Sequence, residues 1–330
     1  MTSFTDLVDV AAERLGGVVL LATDDFFAPK ENLLKPSKPV WKEGVYTDRG
    51  KWMDGWETRR RRTPGHDWCI IRLGCRAVPH GVVVDTAFFR GNYPEQCSID
   101  ACVLDHAPDS AALAEDPAIG WKELLPRSPL EGDSENRFAV TSRDPVSHLR
   151  FNIFPDGGVA RLRVYGEPVP DPRLRAGVQA DLAALTNGGL VLASSDMFFG
   201  NRHNLILPGH STFMGDGWET QRRRGPGHDW SLLRLASRGS IELIEVDTDH
   251  YKGNAPESCS LEVCDAPGAT AERLTDGAVA WTTVLARTGL EPDTRHLFSP
   301  SAVLPATHAR LSIFPDGGIA RLRLVGKVAG

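Results

Sequence analysis

A chain of 330 residues exceeds one ordinary domain and suits about two, at roughly 150 residues each. Hydrophobic residues at 41% and charged residues at 24% exclude a disordered or fibrous chain, and a net charge of -6 argues against general nucleic-acid binding. Gly 32 and Pro 23, without a collagen-like period, supply the turns of a β protein rather than of a helical bundle.

The opening MTSFTDLVDVAAERLGG lacks a basic start followed by an apolar core, so no signal peptide is expected. The segment Asp6 to Leu15 predicts a short helix that leads through Gly16-Gly17 into an apolar strand. That run, Val18 to Ala22, is far too short to span a bilayer, and the cytosol is the expected location. The Lys- and Pro-bearing segment from Lys35 to Val45 follows, then the block DGWETRRRRTPGHDW from Asp54 to Trp68. Short strands are predicted over Cys69 to Leu73, Val82 to Phe89, Ser98 to Leu104 and Val159 to Tyr165. In the last of these, Arg161 and Arg163 should face out and Leu162 and Val164 in. Asp156-Gly157-Gly158 reads as hairpin turn chemistry. The six cysteines contain no C-x-x-C and are expected to be reduced and buried.

The same unit is then written again. DGWETQRRRGPGHDW from Asp216 to Trp230 matches the first block at 13 of 15 positions. IFPDGGIARLRL from Ile313 matches IFPDGGVARLRV from Ile153 at 10 of 12. KGNAPESCSLEVC from Lys252 parallels RGNYPEQCSIDAC from Arg90, and GGLVLASSDMFF from Gly188 parallels GGVVLLATDDFF from Gly16. The offset falls from 172 to 162 to 160, so the main length change is about ten extra residues, in the Lys35 to Val45 segment of the first copy. The second copy repeats the strand series at Leu232 to Leu235, Ile241 to Asp247, Ser260 to Cys264 and Ile319 to Val325, with a short helix expected over Val178 to Leu185. The expected architecture is all-β: two tandem jelly-roll sandwiches, each with a short N-terminal helix, over 1–167 and 177–330, joined by a Pro-rich linker over 168–176.

Candidate chemistry concentrates in the repeated motifs. In an extended chain Glu57, Arg59 and Arg61 share one face, which places a carboxylate and guanidinium groups in one cleft beside His66. A solvated edge strand with intrastrand ion pairs would read the same way. Glu57 and His66, with Glu219 and His228 in the second copy, are the general acid/base candidates. Asp24 and its partner Asp196 follow apolar strands, either as ligand-binding carboxylates or as turn caps. Arg61 and Arg223 are candidate anion-binding groups. Arg90 with Asn92, and Lys252 with Asn254, combine a cation, a glycine and a carboxamide, a set suited to a carboxylate or ureido ligand. His148 and His308 are expected to pack or hydrogen-bond. No pair of histidines shows zinc-site spacing and no nucleotide or nucleophile-elbow motif occurs, so no metal or other cofactor is evident, and a metal requirement is left open.

ATDDFFAPKENLL, DGWETRRRRTPGHDW, the FRGNYPE stretch and FPDGGVARLRVYG, each with a second copy, resemble the allantoicase (allantoate amidinohydrolase) family over about Gly16 to Gly326. The resemblance implies two galactose-binding-like jelly rolls and a role in purine catabolism. The implied reaction is allantoate plus water giving (S)-ureidoglycolate and urea, with allantoate the partner and neither nucleic acid nor membrane involved; an assembly of identical chains is left open. The residue roles that follow come from the residue types and their placement, not from the resemblance. Arg90 or Arg61 would take the substrate carboxylate, and Asn92 and Asp24 the ureido arms. Glu57 and His66 would share the acid and base roles, Glu57 being the base if guanidinium groups lower its pKa. Copy two has Gln221 for Arg59 and Lys252 for Arg90, so the copies need not both be active. The competing readings are a non-catalytic tandem module that binds carbohydrate or a small anion, and hydrolysis of a related ureido acid such as ureidoglycolate.

Overall fold

The computed structural model describes residues 3–104 and 110–330 and divides into two compact units, Met1–Glu167 and Pro168–Gly330. The first contains strands β1 (Val8–Asp9), β2 (Val18–Ala22), β3 (Tyr46–Thr47), β4 (Gly50–Lys51), β5 (Trp56–Glu57) and β6 (Asp67–Asp85). It continues with β7 (Gln96–Cys102), helix α1 (Ser110–Glu115), β8 (Lys122–Pro129), β9 (Glu135–Ala139), β10 (Val146–Phe154), β11 (Gly158–Val159) and β12 (Arg161–Pro168). Eight strands form one antiparallel system in which β1-β12-β6-β10-β7-β8 are neighbours and β2 and β9 also pair with β6. The second unit repeats this system, with β16 (Asp229–Asp247) in the place of β6 and β20 (Pro305–Phe314) in the place of β10. The remaining numbered strands in that repeat are β13 (Gln179–Asp181), β14 (Leu190–Ser194), β15 (Trp218–Glu219), β17 (Ser258–Cys264), β18 (Thr282–Gly289), β19 (Arg295–Phe298), β21 (Gly318–Ile319) and β22 (Arg321–Val328). Both units are jelly-roll β-sandwiches.

Two expected strands in each repeat prove to be one. β6 pairs with β2 and β10 over Asp67 to Arg72, then with β9 over Gly81 to Asp85. A strand that changes neighbours part-way is how two layers of a sandwich are joined. Gly74 marks the change without breaking the chain, because a Cβ there would lie 2.6 Å from the Leu15 carbonyl, and the Gly74 N–H bonds the Val10 carbonyl at 2.9 Å. The glycine permits close approach rather than a turn.

The expected N-terminal helices are not α-helices. Residues 6–15 end one 3-10 turn, form β1 and close with a second 3-10 turn over Glu13–Leu15; residues 178–185 form β13 and enter a 3-10 turn at Leu185. Both short strands are captured by the edge of the sheet, Val8 and Asp9 by Gly166 and Tyr165, and Gln179 to Asp181 by Lys327 to Val325. So brief a stretch has little helix stability of its own, and the ladder prevails.

Arg161 is not turned to solvent. It lies opposite Leu162, but the segment from Ser37 to Asp54 covers that face and leaves the arginine 1% exposed. Its guanidinium donates to the Ser37, Asp54 and Ala160 carbonyls and pairs with the Asp54 carboxylate at 2.8 Å. Arg321 repeats the arrangement with Asp216 at 2.9 Å.

The six cysteines are free and buried, and burial pushes the Cys75, Cys97, Cys102 and Cys259 thiols up to about 12, far from a reactive thiolate. His148 and His308 are buried with one ring nitrogen each on a neighbouring hydroxyl, Ser147 and Thr307, both at 2.9 Å. Burial, then a nearby arginine, pulls each histidine down to about 4. Between about pH 4 and 6.5 the unfolded chain therefore binds protons that the folded chain refuses, and stability falls as pH falls through that window. Each histidine contributes a slope of up to about 1.4 kcal/mol per pH unit. Denaturant titrations of His148→Gln and His308→Gln should show a shallower dependence on pH from 4 to 6.5; an unchanged slope in both would refute the assignment.

Candidate functional site

Glu57 is positioned by local backbone pairing. β5 is two residues long because Trp56 and Glu57 are all that meet β11, with Glu57 opposite Gly158. The Trp56 indole is fully buried and donates to the Asp24 carbonyl at 2.8 Å, which pins the strand to the end of β2. On the other side Gly157 (φ 140°) and Gly158 let the Asn92 loop close in: the Gly158 N–H bonds the Asn92 carbonyl at 2.7 Å, and a Cβ on Gly157 would lie 2.7 Å from that oxygen. The Asp156-Gly-Gly motif is thus no hairpin. It is the joint that brings two distant loops together, with the Asp156 carboxylate accepting the Arg61 N–H at 2.8 Å.

The joint sets Asn92 Nδ2 2.7 Å from Glu57 Oε1. Together they face a cavity of about 560 Å³ that is also lined by Phe27, Trp41, Lys51, Met53, Phe88, Arg90 and Gly91. Burial raises the Glu57 carboxyl above the ordinary carboxylate range, and the Asn92 bond offsets this in part. No guanidinium contributes. Arg59 forks onto Asp24, with Nε and Nη2 at 2.9 and 2.6 Å from Oδ1, while Arg61 pairs with buried Asp67 at 2.7 Å. The paired strand ends at Glu57, and the three side chains that alternation placed on one face have three different partners, Asn92, Asp24 and Asp67. The expectation that arginines would depress Glu57 is thereby reversed.

Other candidates stand apart. Asp24 is engaged by the Arg59 side chain and backbone N–H; partial burial opposes its ionisation, but those bonds outweigh it and hold the carboxyl below its usual range. His66 does not line the cavity: its ring sits 4.5 Å from that of Phe154, with Nε2 3.3 Å from Asn152 Oδ1. The His228 ring likewise lies 4.6 Å from that of Phe314, tilted against it, and desolvation, then Arg310 and Arg223, lowers its pKa. Arg223 pairs with Asp229, its N–H bonds Asp316 at 2.7 Å, and Asp196 accepts the Gln221 N–H at 2.6 Å. Arg90 does reach the cavity, with Nε held 3.0 Å from Asp133. The same Asp133 carboxylate accepts the Phe88 N–H at 2.7 Å, fixing Phe88 at φ 68°. A bulky residue in that region costs on the order of 1–3 kcal/mol, and here it holds an aromatic ring 5.7 Å from Trp41.

The cavity's aromatic and cationic wall, Trp41 and Lys51, was missed by sequence reading. Its signal was the extra segment of the first copy, which carries Trp41 and precedes the β3–β4 hairpin bearing Lys51. In the second repeat Glu219 and Asn254 keep the carboxyl–carboxamide bond at 2.6 Å. There Phe213, Met214 and Gly215 stand at the positions of Lys51, Trp52 and Met53, and Met214 Sδ lies 3.4 Å from Asn254 Nδ2. Lys252 is 3.5 Å from Asp293. Among the described residues no group of three or more His, Cys, Asp or Glu is placed to hold a metal ion, and no helix is long and apolar enough to cross a membrane.

Fold and site define a duplicated jelly-roll protein whose first repeat encloses a desolvated carboxyl beside a carboxamide and two cations. An allantoicase repeat model matches residues 8–169 and again 180–329, and the chain belongs to the allantoicase family. It is 48% identical to a probable allantoicase of Pseudomonas aeruginosa (strain UCBPP-PA14), over 98% of this chain and 96% of that one. A probable allantoicase of Burkholderia mallei is 46% identical over 97% and 94% of the two chains. The crystal structure of Saccharomyces cerevisiae allantoicase superposes with a TM-score of 0.79 at 35% identity, covering 97% of this chain and 92% of that one.

Proposed function

We propose that the chain hydrolyses allantoate to (S)-ureidoglycolate and urea in the first-repeat cavity, with Glu57 as the proton donor and acceptor. The observation that carries this reading is the half-buried Glu57 carboxyl, raised by desolvation at the cavity wall and held by the Asn92 carboxamide. Allantoate is an aminal: its α-carbon bears a carboxylate and two ureido groups. A ureido anion is a poor leaving group, so the departing nitrogen must be protonated. Protonated Glu57 gives that nitrogen its proton, the C–N bond breaks, and urea leaves behind an N-acyliminium carbon. Water adds to that carbon, and the Glu57 carboxylate takes the proton the water releases. The catalyst is thus restored, and attack from one face sets the product's configuration. Asn92 Oδ1 is a carbonyl acceptor suited to a ureido N–H, while Nδ2 stays on Glu57. Arg90 keeps guanidinium N–H groups beyond the one held by Asp133. Phe27, Trp41 and Phe88 offer apolar faces to the planar ureido arms and help exclude water. The six buried thiols suit action in a reducing compartment such as the cytosol.

Urea release from allantoate, measured across pH, tests the reading. The active form carries protonated Glu57, so kcat/KM should be level below the raised Glu57 pKa and fall about tenfold per pH unit above it. Urea production no faster than in buffer would dismiss the activity. A rate that rises through the same range would dismiss Glu57 as the acid.

A further inference from the structure

We propose that Lys51 is the carboxylate anchor of this cavity and restricts it to ureido compounds carrying a negative charge. The inference rests on reading the first-repeat cavity as the ureide site, but it concerns recognition rather than bond cleavage. Lys51 ends the β3–β4 hairpin, where its register against Tyr46 fixes its direction. Its Nζ lies 4.0 Å from the Trp41 ring centroid, so the indole face steadies the ammonium itself at the cavity wall while the residue stays exposed. Among the described residues no carboxylate forms an ion pair with it, whereas Lys30 is within 2.7 Å of Glu31 and Arg90 within 3.0 Å of Asp133.

Charge on the lining side chains points the same way. Two cations, Lys51 and Arg90, face a single carboxyl, Glu57, which burial drives toward its neutral form. Arg90 is already neutralised by Asp133, so Lys51 is the cation without a counter-charge. An anionic ligand supplies one. The second repeat provides an internal comparison: it retains the carboxyl and carboxamide in Glu219 and Asn254, but the sequence position matching Lys51 is Phe213, and a 3-10 turn over Met214–Asp216 replaces the hairpin. A ureido group could still be hydrogen-bonded there, yet the residue matching Lys51 carries no charge for a carboxylate.

Ureidoacetate separates recognition from turnover, since it has the carboxylate and one ureido arm but no aminal bond to break. Its binding should be measured by calorimetry at low salt for the wild-type chain, Lys51→Met and Lys51→Arg, with neutral methylurea as the control. Lys51→Met should weaken ureidoacetate by at least about tenfold, the worth of one hydrogen bond between charged groups at low salt. Lys51→Arg should restore it to within about threefold, because the charge is kept while the point-like ammonium is replaced by a fork. Methylurea should bind all three alike, with melting temperatures unchanged because the residue is exposed. Ureidoacetate binding within twofold of wild type in Lys51→Met, or no binding to the wild-type chain, would overturn the proposal. Failure of the hydrolytic reading shows itself separately, as absent urea release from allantoate by a wild-type chain that still binds ureidoacetate through Lys51.

Discussion

Glu57→Gln should lower kcat for allantoate by about 10²–10⁴-fold, while Glu219→Gln should leave it within about twofold of wild type. Gln is the neutral isostere of a protonated glutamic acid. It keeps a carbonyl oxygen for Asn92 Nδ2, which now bonds Glu57 Oε1 at 2.7 Å, but it has no acidic proton to give. The raised pKa shows that the folded state penalises the charged carboxylate, so the variant should be no less stable than the wild type above that pKa. Loss of rate with an unchanged or higher melting temperature separates chemistry from unfolding. Glu219 has the same carboxamide partner, yet the corresponding site lacks the Trp41-bearing segment, carries Phe213 for Lys51, and has Met214 against Asn254. Equal losses in both variants would show that the two repeats share the reaction, and equal wild-type rates would remove this carboxyl from it.

The second large effect concerns the buried pair beneath the cavity segment. Arg161→Met strands the Asp54 carboxylate, 8% exposed, and frees the Ser37 and Asp54 carbonyls, at a cost of about 3–5 kcal/mol in denaturant unfolding. Asp54 also accepts the Val40 N–H at 3.0 Å, so the same substitution loosens the segment that carries Trp41. A raised KM should therefore accompany the lost stability. Arg321→Met breaks the equivalent pair with Asp216 and should cost similar stability in its own unit without raising KM. A KM raised equally by both would show that the effect is general softening rather than a local loss of cavity wall.

Much of the fold, and the residue types now found around the cavity, could be read along the chain; their partners could not. The duplication was legible because 13 of 15 and 10 of 12 positions match across two motifs. The jelly-roll class followed from short strands and turn residues, since burial of one face enforces alternation whatever the partners. Glu57, Asn92 and Arg90 were also legible, as chemically apt residue types within repeated motifs, and the structure brings all three to one cavity. His66, Arg61 and Asp24 were equally plausible by type, but each is held by another group: Asn152 and Phe154, Asp67, and Arg59. Side-chain alternation along Glu57, Arg59 and Arg61 failed because it presumes a strand longer than the two residues that β11 can pair.

By itself the sequence determined the two-unit organisation, the all-β class and the inventory of groups able to move a proton or hold an anion. Those properties depend on residue order and on hydrophobic period, which are local. Tertiary structure alone decided that Arg161 is a buried tie, that Glu57 is desolvated rather than flanked by guanidinium, and that Trp41 and Lys51 complete the first-repeat cavity. A pKa and a cavity wall depend on which distant segments converge, here residues 27, 51, 57 and 92. Nothing in the spacing of those residues along the chain encodes the dielectric or the counter-charge that each will meet.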